Sequence, residues 1–453
     1  MSLNPRRFSL IFALVFSALT WLSAQPQPAA RHVVVISLDG FPSWALEDPY
    51  LPVPTLRRLA AQGVVAKGMR PVNPSVTWPN HTALVTGVTP AKHGVLFNGI
   101  LIREPGVPPR IEPWRDKAEM VRTKTLYDLA HERGLTTAEV DWVAIQNAPT
   151  ISYAFPERPD PKGQIARELV KTGAINETSL TDFHTRNIVW RDQMWTEAAR
   201  YILRQHRPNL MLYHLLNLDS THHRYGPRSH AATIAMAQLD SAVASILDTI
   251  EQAGLTPRTT VFVVSDHGFR LVKRQIRLNA ALARAGLLEV TEGKVVKSQA
   301  YVVPEGGTAL LYITVPDPSG EILSRAKSTI ASVEGVGTIV EPNGYKQYGL
   351  PQPTDNNQMG ALFIIPKEGY AFNAAATDPA VVDAAEGGLG AHGYLASDPE
   401  LSALFIASGA GIVRGAALGT IDNVDVAPTI ARLLGLTLPD VDGRVLVEAL
   451  VDK

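Results

Sequence analysis

The chain has 453 residues, a formal net charge of -1, 45% hydrophobic and 19% charged residues, and no cysteine. This balance argues against a disordered protein or a fibre, and it lacks the basic excess of a non-specific nucleic-acid binder. Without cysteine, disulfides and thiolate metal sites are excluded, so any metal must be held by His, carboxylate or hydroxyl ligands.

The N-terminus has the pattern of an export signal. Arg6 and Arg7 form a basic start, Phe8 to Leu22 an apolar stretch, and Ser23 and Ala24 supply small residues before the polar QPQPAA. A signal peptide is expected over residues 1–24, with a mature chain, 25–453, that is secreted or periplasmic. The alternative is a retained anchor, for which the apolar run is short. No second stretch is long and apolar enough to cross a membrane, so no transmembrane domain is expected after signal removal.

Further along, short apolar runs alternate with amphipathic stretches. His32 to Leu38 (HVVVISL) is a β-branched run that predicts a buried strand. Pro54 to Gln62 predicts a helix ended by Gly63. A helix is expected from near Trp78-Pro79, with Pro close to its start. The Pro-rich stretch Glu104 to Pro113 reads as a surface loop. Apolar runs at Leu210 to Leu218, Thr260 to Val264 and Leu404 to Ala407 predict strands, and Trp195 to Gln205, Ala232 to Ala253 and Val426 to Leu434 predict helices. Such alternation implies an α/β fold, a mostly parallel sheet with helices on both faces. From about 273 to 386 the rhythm breaks. A helix-like NAALARAGLL precedes strand-like runs at Ala309 to Val315 and Ala361 to Pro366, which predicts an inserted α+β subdomain.

Three apolar runs end in acidic residues: Asp39, Asp219 and Asp266. Ligands of open α/β sheets bind at the carboxyl ends of strands. A single such Asp is more often a turn residue, but three together suggest one crevice. His223 lies four residues after Asp219, His267 follows Asp266, and His392 sits in GAHGY. Mixed imidazole and carboxylate ligands suit Zn²⁺. Thr77 precedes the predicted helix and has two readings: an N-cap, or a hydroxyl nucleophile activated by metal beside a helix N-terminus that favours phosphate.

These residues lie in five ordered blocks: VISLDGF (Val35 to Phe41), PSVTWPNHTALVTGVTPAKHGVLFNG (Pro74 to Gly99), YHLLNLDSTHHRYGP (Tyr213 to Pro227), VVSDHGF (Val263 to Phe269) and GAHGY (Gly390 to Tyr394). On them the chain resembles the nucleotide pyrophosphatase/phosphodiesterase branch of the alkaline phosphatase superfamily, over nearly the whole mature length. The resemblance implies an alkaline-phosphatase-like fold and two Zn²⁺. It implies Asp39, Thr77, Asp266 and His267 as ligands of one ion, and Asp219, His223 and His392 as ligands of the other. Thr77 becomes the nucleophile that forms a phosphothreonine, and Asn98 the donor to a phosphoryl oxygen. His81 stays structural. The implied substrate is a small phosphate ester such as a nucleotide, cleaved at a phosphodiester or pyrophosphate bond. Phosphonate C–P hydrolysis, phosphomonoester hydrolysis and, from another class, a non-catalytic zinc-binding envelope protein are the alternatives. Two departures stand out. Trp78 replaces a frequent Phe and either stacks on a planar leaving group, with Tyr153 as a candidate opposite wall, or simply packs. His222 stands where relatives carry Gly; it mimics a ligand, but the spacing from Asp219 selects His223.

Overall fold

The computed structural model describes residues 31–384 and 388–451. The expected signal peptide and the far end of the expected insertion, at 386, lie outside the described residues. The apolar runs form one sheet from β1 His32–Leu38, β2 Val64–Arg70, β3 Thr137–Val140, β4 Tyr153–Phe155, β5 Leu210–Leu215, β6 Thr259–Val264, β7 Phe405–Gly409 and β8 Ala416–Asp422. Their order across the sheet is β8-β2-β7-β6-β1-β5-β3-β4. Every neighbouring pair is parallel except the two made by β7.

Every residue of β1, β5 and β6 is buried, the signature of strands covered on both faces. Strand alternation divides them between two cores. Val34, Ile36 and Leu38 face one side, while Val33 and Val35 face the other. The covering helices are α1 Pro54–Gln62, α2 Thr77–Thr86, α3 Ile188–Gln205, α4 Asn217–Tyr225, α5 His230–Gln252 and α6 Val426–Leu434. Leu56 of α1, Ile202 of α3 and Leu239 of α5 enter the first core; Leu84 of α2 and Ile430 of α6 enter the second. Each such side chain contributes about 1.5–3 kcal/mol on leaving water. Among the described residues, no helix is long and apolar enough to cross a membrane.

Several boundaries differ from the sequence expectation. α3 starts at Ile188 rather than Trp195 because the Asn187 side chain accepts from the Trp190 N–H at 2.9 Å, capping a helix whose first turns carry mixed residues. Arg110–Glu112 is not loop but a short strand paired with Ile100–Ile102. Within the interrupted region, Ala300–Pro304, Ala309–Ile313, Leu362–Pro366 and Val336–Val340 form an antiparallel sheet in that order. The helices Leu278–Arg284 and Glu321–Ala331 share a hydrophobic cluster with it.

The register sets up the rest. Leu38 lies opposite Leu215, and Ser37 opposite Val264. Strands β5, β1 and β6 therefore end level, and whatever follows them emerges at one edge.

The central sheet also buries a carboxyl away from that edge. Glu139 in β3 accepts the Trp142 N–H at 3.2 Å, and burial pushes its pKa up to about 8. Between its unfolded value, about 4.3, and about 8, the folded state binds more protons than the unfolded state. Its contribution is therefore present at low pH and is lost as pH rises through that window. Glu139→Gln keeps an acceptor for Trp142. The variant should unfold at a higher temperature than wild type at pH 9, with little difference at pH 5, in thermal melts at both pH values.

Candidate metal centre

Asp39 directly follows β1 and is fully buried. The turn after it is tied to the end of β6, since the Gly40 N–H donates to Asp266 Oδ1 at 3.2 Å and the Phe41 N–H to Ser265 Oγ at 2.9 Å. Asp219 reaches the same edge differently from expectation. It does not end a strand: β5 stops at Leu215, and Asp219 is the third residue of α4. The apolar Leu216 and Leu218 prolong the hydrophobic run across a strand-to-helix turn, which disguises the boundary. The start of α4 lacks a local side-chain cap. Instead the Asp192 carboxylate, from α3, accepts the Leu216 and Asn217 N–H groups, each at 3.1 Å. His223 lies one turn beyond Asp219 on the same helix face.

His392 directly follows the short strand Gly390–Ala391, in a tightly packed segment. Gly393 has φ +81, and a Cβ there would collide with the Glu305 carbonyl, so the second Gly of GAHGY is required by both conformation and space.

The structure gathers these side chains into two overlapping groups. The ligand atoms of Asp219, His223 and His392 lie within 4.8 Å of one another, as do those of Asp39, Asp219 and His267. His223 Nε2 and His392 Nε2 stand 3.5 and 3.6 Å from Asp219 Oδ1. His267 Nε2 stands 3.5 Å from Asp39 Oδ1 and 3.1 Å from Asp266 Oδ2. The second ring nitrogens of two histidines are already committed: His223 Nδ1–H donates to the Gly390 carbonyl at 3.2 Å and His392 Nδ1–H to the Ser75 carbonyl at 3.0 Å. That leaves each Nε2 as the lone-pair atom, the arrangement of metal-ligating imidazoles.

The unpaired atoms test whether a cation fits. Asp39 Oδ1, Asp219 Oδ1, Asp266 Oδ2 and His267 Nε2 are buried without a hydrogen-bond partner among the described residues. Buried polar groups are nearly always partnered, and here the unpartnered atoms converge on each other. Burial, then the neighbouring Asp219 charge, pushes the Asp39 carboxyl well above its usual range; burial and Asp39 do the same to Asp266. Burial holds His392 down at about 4, helped by His223, and holds His267 well below its ordinary value, helped by His392. Acids short of positive charge and imidazoles kept neutral make a donor set suited to a divalent cation.

Thr77 is the first residue of α2 and is 7% exposed. It is not the N-cap; Val76 is, without a side-chain cap bond. The Thr77 hydroxyl makes no hydrogen bond among the described residues. Its carbonyl accepts from His81 Nδ1–H at 2.9 Å, and that nitrogen lies 3.6 Å from Asp266 Oδ2. Two residues earlier, Ser75 holds His392, so the start of α2 is anchored to the cluster. Asn98 Oδ1 accepts the Trp78 N–H at 2.9 Å, which leaves the Asn98 NH₂ as a free donor.

Other candidates fall outside. Trp78 is 5% exposed and packs with Val95, Met120 and Val143, edge-on to Trp114 at 6.0 Å. Its ring packs against these side chains, the second of the two readings. Tyr153 is no opposite wall: it stacks on His206 at 4.1 Å, beside the chain that leads into the start of β5, away from the carboxyl edge. His222 is fully buried against Phe269 and belongs to neither group.

Two residues escaped the sequence prediction. His214, inside β5, lies 3.1 Å from Asp39 Oδ2, and Asp141 lies behind it. The available signal was a single imidazole in an otherwise apolar strand.

A family profile described as "Type I phosphodiesterase / nucleotide pyrophosphatase" matches residues 33–395. The chain is similar to ectonucleotide pyrophosphatase/phosphodiesterase family member 1 of Rattus norvegicus, 23% identical over 414 residues, covering 89% of this chain and 40% of that protein. It thus spans about two-fifths of that relative's length. It is also similar to family member 7 of Homo sapiens, 23% identical over 428 residues, covering 93% of this chain and 83% of that protein. Human ectonucleotide pyrophosphatase/phosphodiesterase 5 superposes with a TM-score of 0.69 at 16% identity, over 93% of this chain and 100% of that chain. An inactive variant of the murine protein, in complex with AMP, gives 0.67 at 17% identity, over 91% of this chain and 97% of that chain. At these identities the structures establish a shared fold.

Zn²⁺ added to chelator-treated protein should raise its unfolding temperature, since a ligand at a hundred times its Kd stabilises by about 2.7 kcal/mol. Asp219→Ala, which removes the carboxylate common to both groups, should abolish the rise. His222→Ala should keep it, whatever its own basal stability. Calorimetric or fluorescence melts with and without Zn²⁺ measure both.

Proposed function

Because the chain belongs to the type I phosphodiesterase/nucleotide pyrophosphatase family, we propose that it is a zinc-dependent hydrolase of small phosphodiesters or pyrophosphates, nucleotides among them, acting through a phosphothreonine at Thr77. The observation that carries this reading is the convergence of unpartnered Asp39, Asp219, Asp266 and His267 atoms at one sheet edge beside the start of α2. Two Zn²⁺, held by Asp39, Asp266, His267 and Thr77 and by Asp219, His223 and His392, would supply Lewis-acid charge to the reacting oxygens.

The chain's own residues then have defined tasks. Thr77 Oγ, its proton passing to solvent, attacks phosphorus and forms one P–O bond as the bond to the leaving oxygen breaks in line, and the leaving oxygen takes up a proton from solvent. Water cleaves the phosphothreonine and returns the hydroxyl. The first N–H groups of α2 lack intrahelical acceptors and favour the anion beside them. The Asn98 NH₂, oriented by the bond from Trp78 to its oxygen, donates to a non-bridging phosphoryl oxygen. The AMP bound to the murine structural relative supports a nucleotide as the substrate class, and the net charge of -1 supports a small substrate over a polynucleotide. The basic and apolar start of the sequence supports an export signal, and with it an activity outside the cytoplasm.

The test is turnover of bis-p-nitrophenyl phosphate, p-nitrophenyl phosphate and phosphonoacetate by one preparation, with and without chelator. Chelator-sensitive diesterase activity should dominate. Thr77→Ala should reduce it to background, and Asn98→Ala should lower kcat by about 10²–10³-fold. A Thr77→Ala variant with the wild-type diesterase rate overturns the nucleophile, and a preference for phosphonoacetate overturns the substrate class.

A further inference from the structure

We infer that His214, backed by Asp141, is a positioning residue that fixes the orientation of Asp39; this rests on reading Asp39 as a metal ligand. β5 (LMLYHL) is buried throughout, and His214 is its one imidazole. Both ring nitrogens are engaged. Nδ1–H donates to the Asp141 carbonyl at 2.9 Å, and Nε2 lies 3.1 Å from Asp39 Oδ2, so with Asp39 ionised the ring serves both acceptors as the imidazolium, Nε2–H donating to Oδ2. His81 packs against the ring at a tilt of 59°, with centroids 4.3 Å apart, and in turn meets Trp142 edge-on, at 4.8 Å.

The two oxygens of Asp39 therefore do different work. Oδ2 is taken by His214, while Oδ1 has no hydrogen bond and faces His267 Nε2 at 3.5 Å. The outer torsion of an Asp side chain is broad, so nothing intrinsic to Asp39 keeps one oxygen pointed into the cluster. The His214 bond supplies that constraint. Asp141 secures it from behind. Its φ of +57 is uncommon for a residue with a Cβ, and this conformation accompanies a carbonyl aimed at Nδ1. Its N–H is anchored to the Phe155 carbonyl at 3.1 Å. The layer His81, His214 and Asp141 thus lies beneath the metal cluster without joining either ligand group. Groups that orient metal ligands in this way typically affect affinity about 10–100-fold.

Two amide substitutions separate reach from burial. Gln can place a nitrogen near the position of imidazole Nε2, whereas Asn reaches only as far as Nδ1. Zn²⁺ affinity and stoichiometry, measured by competition with a chromophoric chelator on the full chain, should show His214→Asn weakened about 10–100-fold at one of two sites. His214→Gln should stay within about threefold of wild type, with both variants folded by circular dichroism. If His214→Asn binds as wild type while Asp39→Asn is weakened, the positioning role is overturned and the metal site stands. Equal weakening in the Asn and Gln variants also overturns it, since burial alone would then explain the loss. A wild-type chain that binds no Zn²⁺ overturns the metal-site reading and this inference with it.

Discussion

The site depends on one electrostatic constraint: carboxylates brought together largely out of solvent, with no basic side chain paired to them among the described residues. Asp39 and Asp219 present ligand atoms within 4.8 Å of each other. Two charges at that separation repel by about 3–4 kcal/mol at an effective dielectric near 20. No Lys or Arg forms a salt bridge with Asp39, Asp219 or Asp266 among the described residues; their close partners are histidines. Burial keeps several of those imidazoles neutral. The arrangement is costly as a set of free ions and favourable around divalent cations, so cation binding and local folding are one equilibrium.

The fold tolerates this because the backbone, rather than side-chain charge, holds the donors. The level ends of β5, β1 and β6 bring the acids to one edge. Main-chain carbonyls of Ser75 and Gly390 fix His392 and His223, and main-chain N–H groups at the start of α4 are fixed by Asp192. Each donor is thereby oriented by an element that also packs in a hydrophobic core. Geometry at the edge is inherited from burial of Val33 to Leu38, and the local acids need contribute no stability of their own.

This division explains what the sequence disclosed. The strand at His32 to Leu38 and the helix at Val426 to Leu434 are legible because their burial pattern is local and continuous. Most of the cluster residues are legible because they follow, within a few residues, an apolar run that ends at the sheet edge; His392 does not, and is marked only by its place in GAHGY. The strand-to-helix turn before Asp219 was hidden by Leu216 and Leu218, whose hydrophobicity serves two elements at once. Trp78 and Tyr153 are ambiguous in sequence because an aromatic side chain looks the same whether its face meets a ligand or protein. The antiparallel direction of β7 and the contact of His214 with Asp39, 175 positions away, are properties of long-range pairing, and no local pattern encodes them.

Charge also orders the events at such a site. The acids around Thr77 would repel a phosphate from a cation-free chain, and the net charge of -1 provides no broad attraction to overcome that. Cations bound to this donor set would reverse the sign of the local field, so an anion would be attracted only to the loaded form. Linkage makes the relation reciprocal: an anion bound beside the cations tightens their retention by the same factor that they tighten its own. The buried Asp39 and the half-exposed His223 mark the two ends of this arrangement. At the Asp39 end, closed from water, the low dielectric would strengthen attraction between a bound cation and the acids, whereas at the His223 end, open to solvent, that attraction would be more screened. A single crevice can therefore combine a rigid, desolvated side with a more exchangeable one without any change in fold.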